Sequence, residues 1–251
     1  MVNQKLKSLF KVIIGRKENN QEQKAFFQPP YDYVQTVTEK YIHRYIGLEA
    51  EDLKSWCIVG GFLGSEAVGI MNYYPQVNVT IFECSQRYVD SLAKQYQDDQ
   101  RVEVVHRAVS NSKGITTFYE NSLDGIGSLL KPGRFLEESY GTNQAESYEV
   151  ETITLDEYLN GSGVDVLQID VQGAEKLVLE GASGMLQNTK AIFIETSVKP
   201  DLYEGAVVFD EIYHFLKQKG FNLILLGTDF NQTGNALFVN SKCSAKKDAF
   251  W

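Results

Sequence analysis

The chain has 251 residues, 43% hydrophobic and 23% charged, with a formal net charge of −9. That length suits one large α/β domain with a substantial core, and the absence of a Lys/Arg block argues against nucleic-acid binding. No apolar run reaches the ~18 residues of a membrane span, and Cys57, Cys84 and Cys243 are too widely spaced for a metal-ligand pair or a disulfide framework.

Residues 1–17 place Lys5, Lys7, Lys11, Arg16 and Lys17 around Leu6, Leu9, Phe10, Val12, Ile13 and Ile14. They lack the continuous apolar stretch and cleavage site of a signal peptide, so a cytoplasmic protein is expected. Two readings stay open for them, a helix packed on the domain and a weakly membrane-seeking amphipathic helix. Residues 17–28 read as a polar linker, and Val34, Val37, Tyr41, Ile42 and Tyr45 recur at helical spacing over 31–48. A helical extension over 1–54, a main domain over 55–242 and a tail over 243–251 are expected.

Strand and helix patterns then alternate. A short apolar strand (55–62) ends in Gly60-Gly61 and leads to a helix (65–74). A second strand (77–82) stops at Glu83 and is followed by a helix (86–97). A third strand spans 102–109, with a further β segment at 115–119. The stretch 120–147 holds Gly125, Gly127, Pro132, Gly133 and Gly141 without sustained periodicity, and a loop this long in a compact domain is usually functional or mobile. A strand at 148–153 and a short helix at 155–159 precede the fourth main strand (164–169), its helix (174–180), a fifth strand (191–195) and a helix (207–219). Two strands, 221–226 and 236–239, close the chain with no full helix between them. Such alternation predicts a doubly wound, mostly parallel sheet with helices on both faces and antiparallel pairing at one edge.

The chemistry gathers where strands end. Gly60-Gly61-Phe62-Leu63-Gly64 gives a tight turn whose backbone can approach a ligand, although any tight strand–helix turn uses glycine. About twenty residues on, Glu83 is placed to accept hydrogen bonds from both hydroxyls of a ribose. Together they point to an adenosine-containing ligand, a nicotinamide dinucleotide or S-adenosylmethionine. The glycine spacing departs from the dinucleotide fingerprint G-x-G-x-x-G, and the closing strand pair suits a methyltransferase sheet. Asp170 ends the fourth strand just before Gly173, as a ligand contact or a helix cap. Glu175 reads as a site-orienting acid or an ordinary first-turn carboxylate, and Asp156 as a helix cap. His43, His106 and His214 read as packed or surface residues.

The chain resembles the FkbM family of S-adenosylmethionine-dependent methyltransferases. The likeness rests on Ile169-Asp-Val-Gln-Gly-Ala-Glu175 with Leu179-Glu-Gly181, and on Arg107-Ala-Val-Ser-Asn-Ser-Lys-Gly114 with Phe118-Tyr119. Gly127-Ser-Leu-Leu130, Val150-Glu-Thr-Ile-Thr-Leu-Asp156 and Phe82-Glu83 extend it, in the family's order, over residues 56–238. It implies a seven-stranded methyltransferase fold and methyl transfer, usually to a hydroxyl of a sugar or natural product. It also implies that Gly60, Gly61, Phe62, Gly64, Glu83, Cys84, Arg107, Ala108, Ser128 and Asp170 contact S-adenosylmethionine, Ser128 helping to close the long loop. Asp170 and Glu195 are the candidate catalytic acids, one of which would take the acceptor's proton. The acceptor would be a small molecule, with no nucleic acid, membrane span or metal implied; an oligomer remains open.

One departure stands out. The family's Asp-x-Gly-Ala-Asn-x-Gly reads Ile58-Val-Gly-Gly-Phe-Leu-Gly64 here. A lost charge-assisted contact is worth ~1.5–3 kcal/mol, roughly tenfold to over a hundredfold in affinity. Glu66 and Asp170 are placed to compensate. A non-catalytic member of the fold, binding a nucleotide, glycan or protein partner, is therefore the alternative.

Overall fold

The computed structural model describes residues 31–121, 123, 125–140, 146–198, 200–228 and 233–245. The basic segment 1–17, the linker 17–28 and part of the closing tail lie outside the described residues. Helix α1 (Tyr31–Tyr45) is followed by β1 (Ser55–Val59), α2 (Ser65–Tyr73), β2 (Asn78–Glu83), α3 (Gln86–Tyr96) and β3 (Val102–His106). Next come β4 (Ala108–Val109), β5 (Gly114–Glu120), α4 (Arg134–Tyr140), β6 (Glu146–Ile153) and α5 (Leu155–Tyr158). The chain continues through β7 (Val166–Ile169), α6 (Glu175–Gly181), β8 (Ala191–Ser197) and α7 (Phe209–Gln218), and closes with β9 (Phe221–Thr228) and β10 (Thr233–Asn240).

The main sheet has seven strands in the order β3-β2-β1-β7-β8-β10-β9. All pairings are parallel except those of β10, which runs antiparallel to both β8 and β9. The expected doubly wound sheet with antiparallel pairing at one edge is thus present. Chain order reverses between β1 and β7, so the crevice at their carboxyl ends is the switch point at which such sheets bind ligands.

Strand alternation feeds two cores. Trp56 and Ile58 of β1 face one, shared with Ile42 of α1, Ile70 of α2 and Leu92 of α3. Cys57 and Val59 face the other, with Leu155 of α5, Val178 of α6 and Ile212 of α7. Central strands buried on both faces explain the near-continuous apolar runs of β1 and β7. Two polar pairings hold these strands in register. Trp56 Nε1 donates to Gln168 at 3.0 Å, and the Asp165 carboxylate accepts from the Lys54 and Ser55 amides at 2.7 and 3.0 Å.

Two expectations need correction. The strand expected over 102–109 breaks at Arg107: β3 joins the main sheet, whereas β4 crosses to a second, three-stranded sheet with the order β4-β6-β5. The aperiodic stretch 120–147 is not loop throughout, for it contains α4 and the start of β6. Among the described residues no helix is long and apolar enough to cross a membrane.

Candidate active site

Two cavities sit side by side at the carboxyl ends of the central strands. The first, of about 210 Å³, opens over β1 and β2 and is lined by Gly60, Phe62, Glu83, Cys84, Arg107, Ala108, Ser128 and Asp170, together with Tyr88, Phe118 and Glu120. The second, of about 500 Å³, lies over β7, β8 and β10 and is lined by Ile126, Phe135, Leu136, Glu175, Glu195, Thr196, Leu202 and Tyr203 among others. Gln172 lines both.

The turn after β1 has the shape a close backbone approach requires. Gly60 has φ +94°, and a Cβ there would meet the Asp170 carbonyl oxygen at 1.8 Å. Phe62 is itself left-handed, at φ 43°, and its ring packs edge-on to Tyr88 with centroids 4.8 Å apart. Glu83 anchors this turn. One carboxylate oxygen accepts from the Gly61 and Phe62 amides at 3.1 and 2.8 Å, and the other from Ser85 N at 2.7 Å. A carboxylate has about four acceptor sites, and Glu83 uses three of them on this turn. Burial pushes its pKa up, against the lowering effect of the backbone amides.

Gly61 and Gly64 are not brought to the cavity lining. Gly61 backs onto Ile81 and Leu92, and Gly64 onto Leu92 and Tyr96, whose hydroxyl donates to the Gly64 carbonyl at 2.5 Å. Arg107 lines the cavity but turns its charge outward to Glu151 at 2.8 Å. Ile58 is 2% exposed and packs in the core beside Ile81, so the position where the family carries an acid is apolar interior here. Of the two residues placed to compensate, Asp170 lines the first cavity, while Glu66 shares only a small cleft of about 40 Å³ with Asp170 and Glu195. Burial first, then the Asp170 and Glu39 charges, push Glu66 up to about 8.

The turn after β7 joins the two cavities. Gln172 has φ 55° and Gly173 φ 96°. The Gln172 amide donates to Asp170 Oδ1 and to Glu195 Oε2, both at 2.7 Å, and its carbonyl accepts from the Tyr203 hydroxyl at 3.2 Å. The candidate acids Asp170 and Glu195 are thus held on one side chain. Burial raises the Asp170 pKa, against the lowering effect of the neighbouring Glu195 and Gln172 side chains. Glu175 is 2% exposed and accepts from the Gly173 and Val171 amides at 2.9 and 3.4 Å, so it braces the turn. Burial pushes it up to about 7. Asp156 does cap a helix: it accepts from the Gly184 and Met185 amides, both at 2.8 Å, at the start of the 3-10 turn Met185–Asn188.

A strap between β5 and α4 crosses over both cavities. Ser128 pairs with Tyr119 through backbone bonds of 2.8 and 3.1 Å, and its hydroxyl donates to the Val171 carbonyl at 3.5 Å. At the far end Gly133 N donates to the Leu202 carbonyl at 2.8 Å. Two site features escaped the sequence reading. Gln172 looks like an ordinary turn residue within the motif. Glu120, which accepts from Ser85 Oγ at 2.5 Å and the Tyr148 hydroxyl at 2.8 Å, comes from the second sheet. Among the described residues no group of three or more His, Cys, Asp or Glu is arranged to hold a metal ion.

A cavity at the switch point, floored by a glycine turn and the acid that ends the second strand, lies where open α/β sheets bind their ligands. Residues 70–223 match the Methyltransferase FkbM domain, and the chain belongs to that family. The 2-O-methyltransferase NoeI of Sinorhizobium fredii is 28% identical over 163 residues, which cover 61% of this chain and 67% of the relative. Two solved structures are similar at lower identity. The precorrin-6y C5,15-methyltransferase of Geobacter metallireducens is 12% identical, with a TM-score of 0.45 over 88% of this chain and 93% of that one. An rRNA methylase of Streptococcus thermophilus is 10% identical, with a TM-score of 0.47 over 86% and 99%. Family membership makes the chain a methyltransferase and implies a methyl donor of the S-adenosylmethionine type.

Proposed function

We propose that the chain is an S-adenosylmethionine-dependent O-methyltransferase acting on a hydroxyl of a sugar or other small molecule. The observation that carries this reading is the meeting of two cavities at Gln172, with a carboxylate on each side. The lining of the first cavity suits an adenosine: Glu83 brings a carboxylate to the end of β2, Phe62, Tyr88 and Phe118 offer apolar walls, and Asp170 offers hydrogen-bond acceptors to an ammonium. When bound there, S-adenosylmethionine supplies an electrophilic methyl group on a sulfonium. The protein orients the acceptor, which matters most in an in-line displacement. Glu195, facing the second cavity, takes the acceptor hydroxyl's proton as the new bond forms. Gln172 donates to both acids and so fixes their separation. The 2-O-methyltransferase activity named for the Sinorhizobium relative agrees with transfer to oxygen.

The test is transfer of a tritiated methyl group from S-adenosylmethionine to a panel of hydroxylated glycosides and natural products. Label should enter as a base-stable ether. Glu195→Gln should lower turnover by about 10²–10⁴-fold while S-adenosylhomocysteine affinity stays within about threefold. Label found only on nitrogen or carboxylate, or no transfer by a protein that binds S-adenosylhomocysteine, would contradict the reading. The apolar Ile58 favours a second reading, a binding protein without catalysis, and that last outcome is the one it predicts.

A further inference from the structure

Tyr203 lies outside every motif read from the sequence, yet its backbone, ring and hydroxyl each hold a different part of the site. The backbone is pinned to the far end of the strap. Pro132 and Tyr203 form an antiparallel bridge, flanked by bonds of 2.8 Å from Gly133 N to the Leu202 carbonyl and from Glu204 N to the Lys131 carbonyl. The ring lies on the turn after β7, where a Cβ at Gly173 would meet its carbons at 2.8 and 3.0 Å. The hydroxyl donates to the Ile126 carbonyl of the strap at 3.1 Å and to the Gln172 carbonyl at 3.2 Å. Carbonyls only accept, so one hydroxyl hydrogen is shared between the strap and Gln172. Tyr203 is 4% exposed. Burial, and then the Glu175, Glu195 and Asp170 charges, raise its pKa, so the hydroxyl serves as a donor and not as a base.

Gln172 needs such a hold. Its φ of 55° is unfavourable for a residue with a side chain, and strain of that kind persists only where the surroundings over-determine it. Asp170 and Glu195 accept from one end of its amide, and Tyr203 fixes the other. The strap lines the first cavity through Gly125, Gly127 and Ser128, and the second through Ile126. We infer that Tyr203 is a positioning residue that clasps the strap to Gln172, so that the strap beside the methyl donor and the two acids are set in place together. This rests on the O-methyl-transfer reading and adds to it a residue that acts through Gln172.

Hydrogen exchange of the full chain without ligand tests the clasp apart from activity. Tyr203→Phe removes the hydroxyl and keeps the ring. Amides of 125–130 and of 170–175 should both exchange about three- to tenfold faster, the range that one lost hydrogen bond produces. Amides of the β1–β2 pair should be unchanged. A change confined to one of the two segments, or no change in either, overturns the inference. Turnover is the second readout, measured on whichever glycoside or natural product accepts the tritiated methyl group. Tyr203→Phe should lower kcat about tenfold with acceptor KM and S-adenosylhomocysteine affinity within about threefold. Added to Gln172→Ala it should lower kcat no further, because both substitutions break one link. Native kcat in Tyr203→Phe, or effects that multiply in the double variant, overturns the inference. No transfer by the native protein strikes the methyl-transfer reading instead, and hydrogen exchange then decides the clasp by itself.

Discussion

At the scale of single residues, burial places several carboxyl groups where ionisation is costly. Glu66 is pushed up to about 8 and Glu175 to about 7, in both cases chiefly by burial. A carboxyl whose folded-state pKa lies above its unfolded value binds more protons in the folded state. Its contribution to stability is therefore fully present at low pH and declines as pH rises through the window up to the folded value. For Glu66 that window runs from 4.5 to about 8. Glu66→Gln mimics the neutral acid, so without ligand it should match the native protein's melting temperature at pH 5 and exceed it at pH 8. The gain should be about 2–4 °C for each kcal/mol recovered. Thermal melts at the two pH values check this; an equal shift at both would show that Glu66 is ionised throughout. Glu175 differs from Glu66, for its carboxylate accepts from two turn amides. Removing those acceptors would leave buried N–H groups unpaired.

The turns after β1 and β7 make the site as elements. Gly60 and the Asp170 carbonyl approach so closely that a Cβ at 60 would overlap it at 1.8 Å, with φ at +94°. Gly60→Ala should therefore cost at least about 3 kcal/mol, visible as a large fall in melting temperature; a near-native melt would mean that the two turns are looser than the structure shows. The β7 turn positions the acids through Gln172. Its truncation, Gln172→Ala, should leave S-adenosylhomocysteine affinity within about threefold but lower methyl-transfer turnover by about 10²-fold, the usual cost of misplacing reacting groups by an ångström. Native turnover in this variant would remove Gln172 from the mechanism. Much of this was legible from the chain. Apolar runs ending in Gly60-Gly61, Glu83 and Asp170 locate the strand ends, because strands buried on both faces need apolar residues and their ends face ligand. Gln172's role was not legible, since its partners Glu195 and Tyr203 lie 23 and 31 residues away in sequence. Neither was the break at Arg107, where an unbroken β pattern conceals a change of sheet, nor α4, formed within a stretch rich in Gly and Pro.

At the scale of the whole molecule, a seven-stranded sheet carries one cavity at its switch point, proposed for the methyl donor, a neighbouring one proposed for the acceptor, and one strap that lines both. The sequence pointed to this sheet because four of its five parallel strands, β1, β2, β7 and β8, are each followed by a helix signal. The second cavity was hidden because strap, α4 and β8 contribute to it from widely separated segments. On the proposed reading the first cavity binds S-adenosylmethionine although Ile58 stands where the family resemblance expects an acid. The direct measurement is calorimetric titration of the native protein and Glu83→Gln with S-adenosylhomocysteine. A native Kd of about 10 µM or tighter is expected, weakened about tenfold to a hundredfold in Glu83→Gln as a charge-assisted contact is lost. No binding by the folded native protein, or equal binding by both proteins, would contradict it.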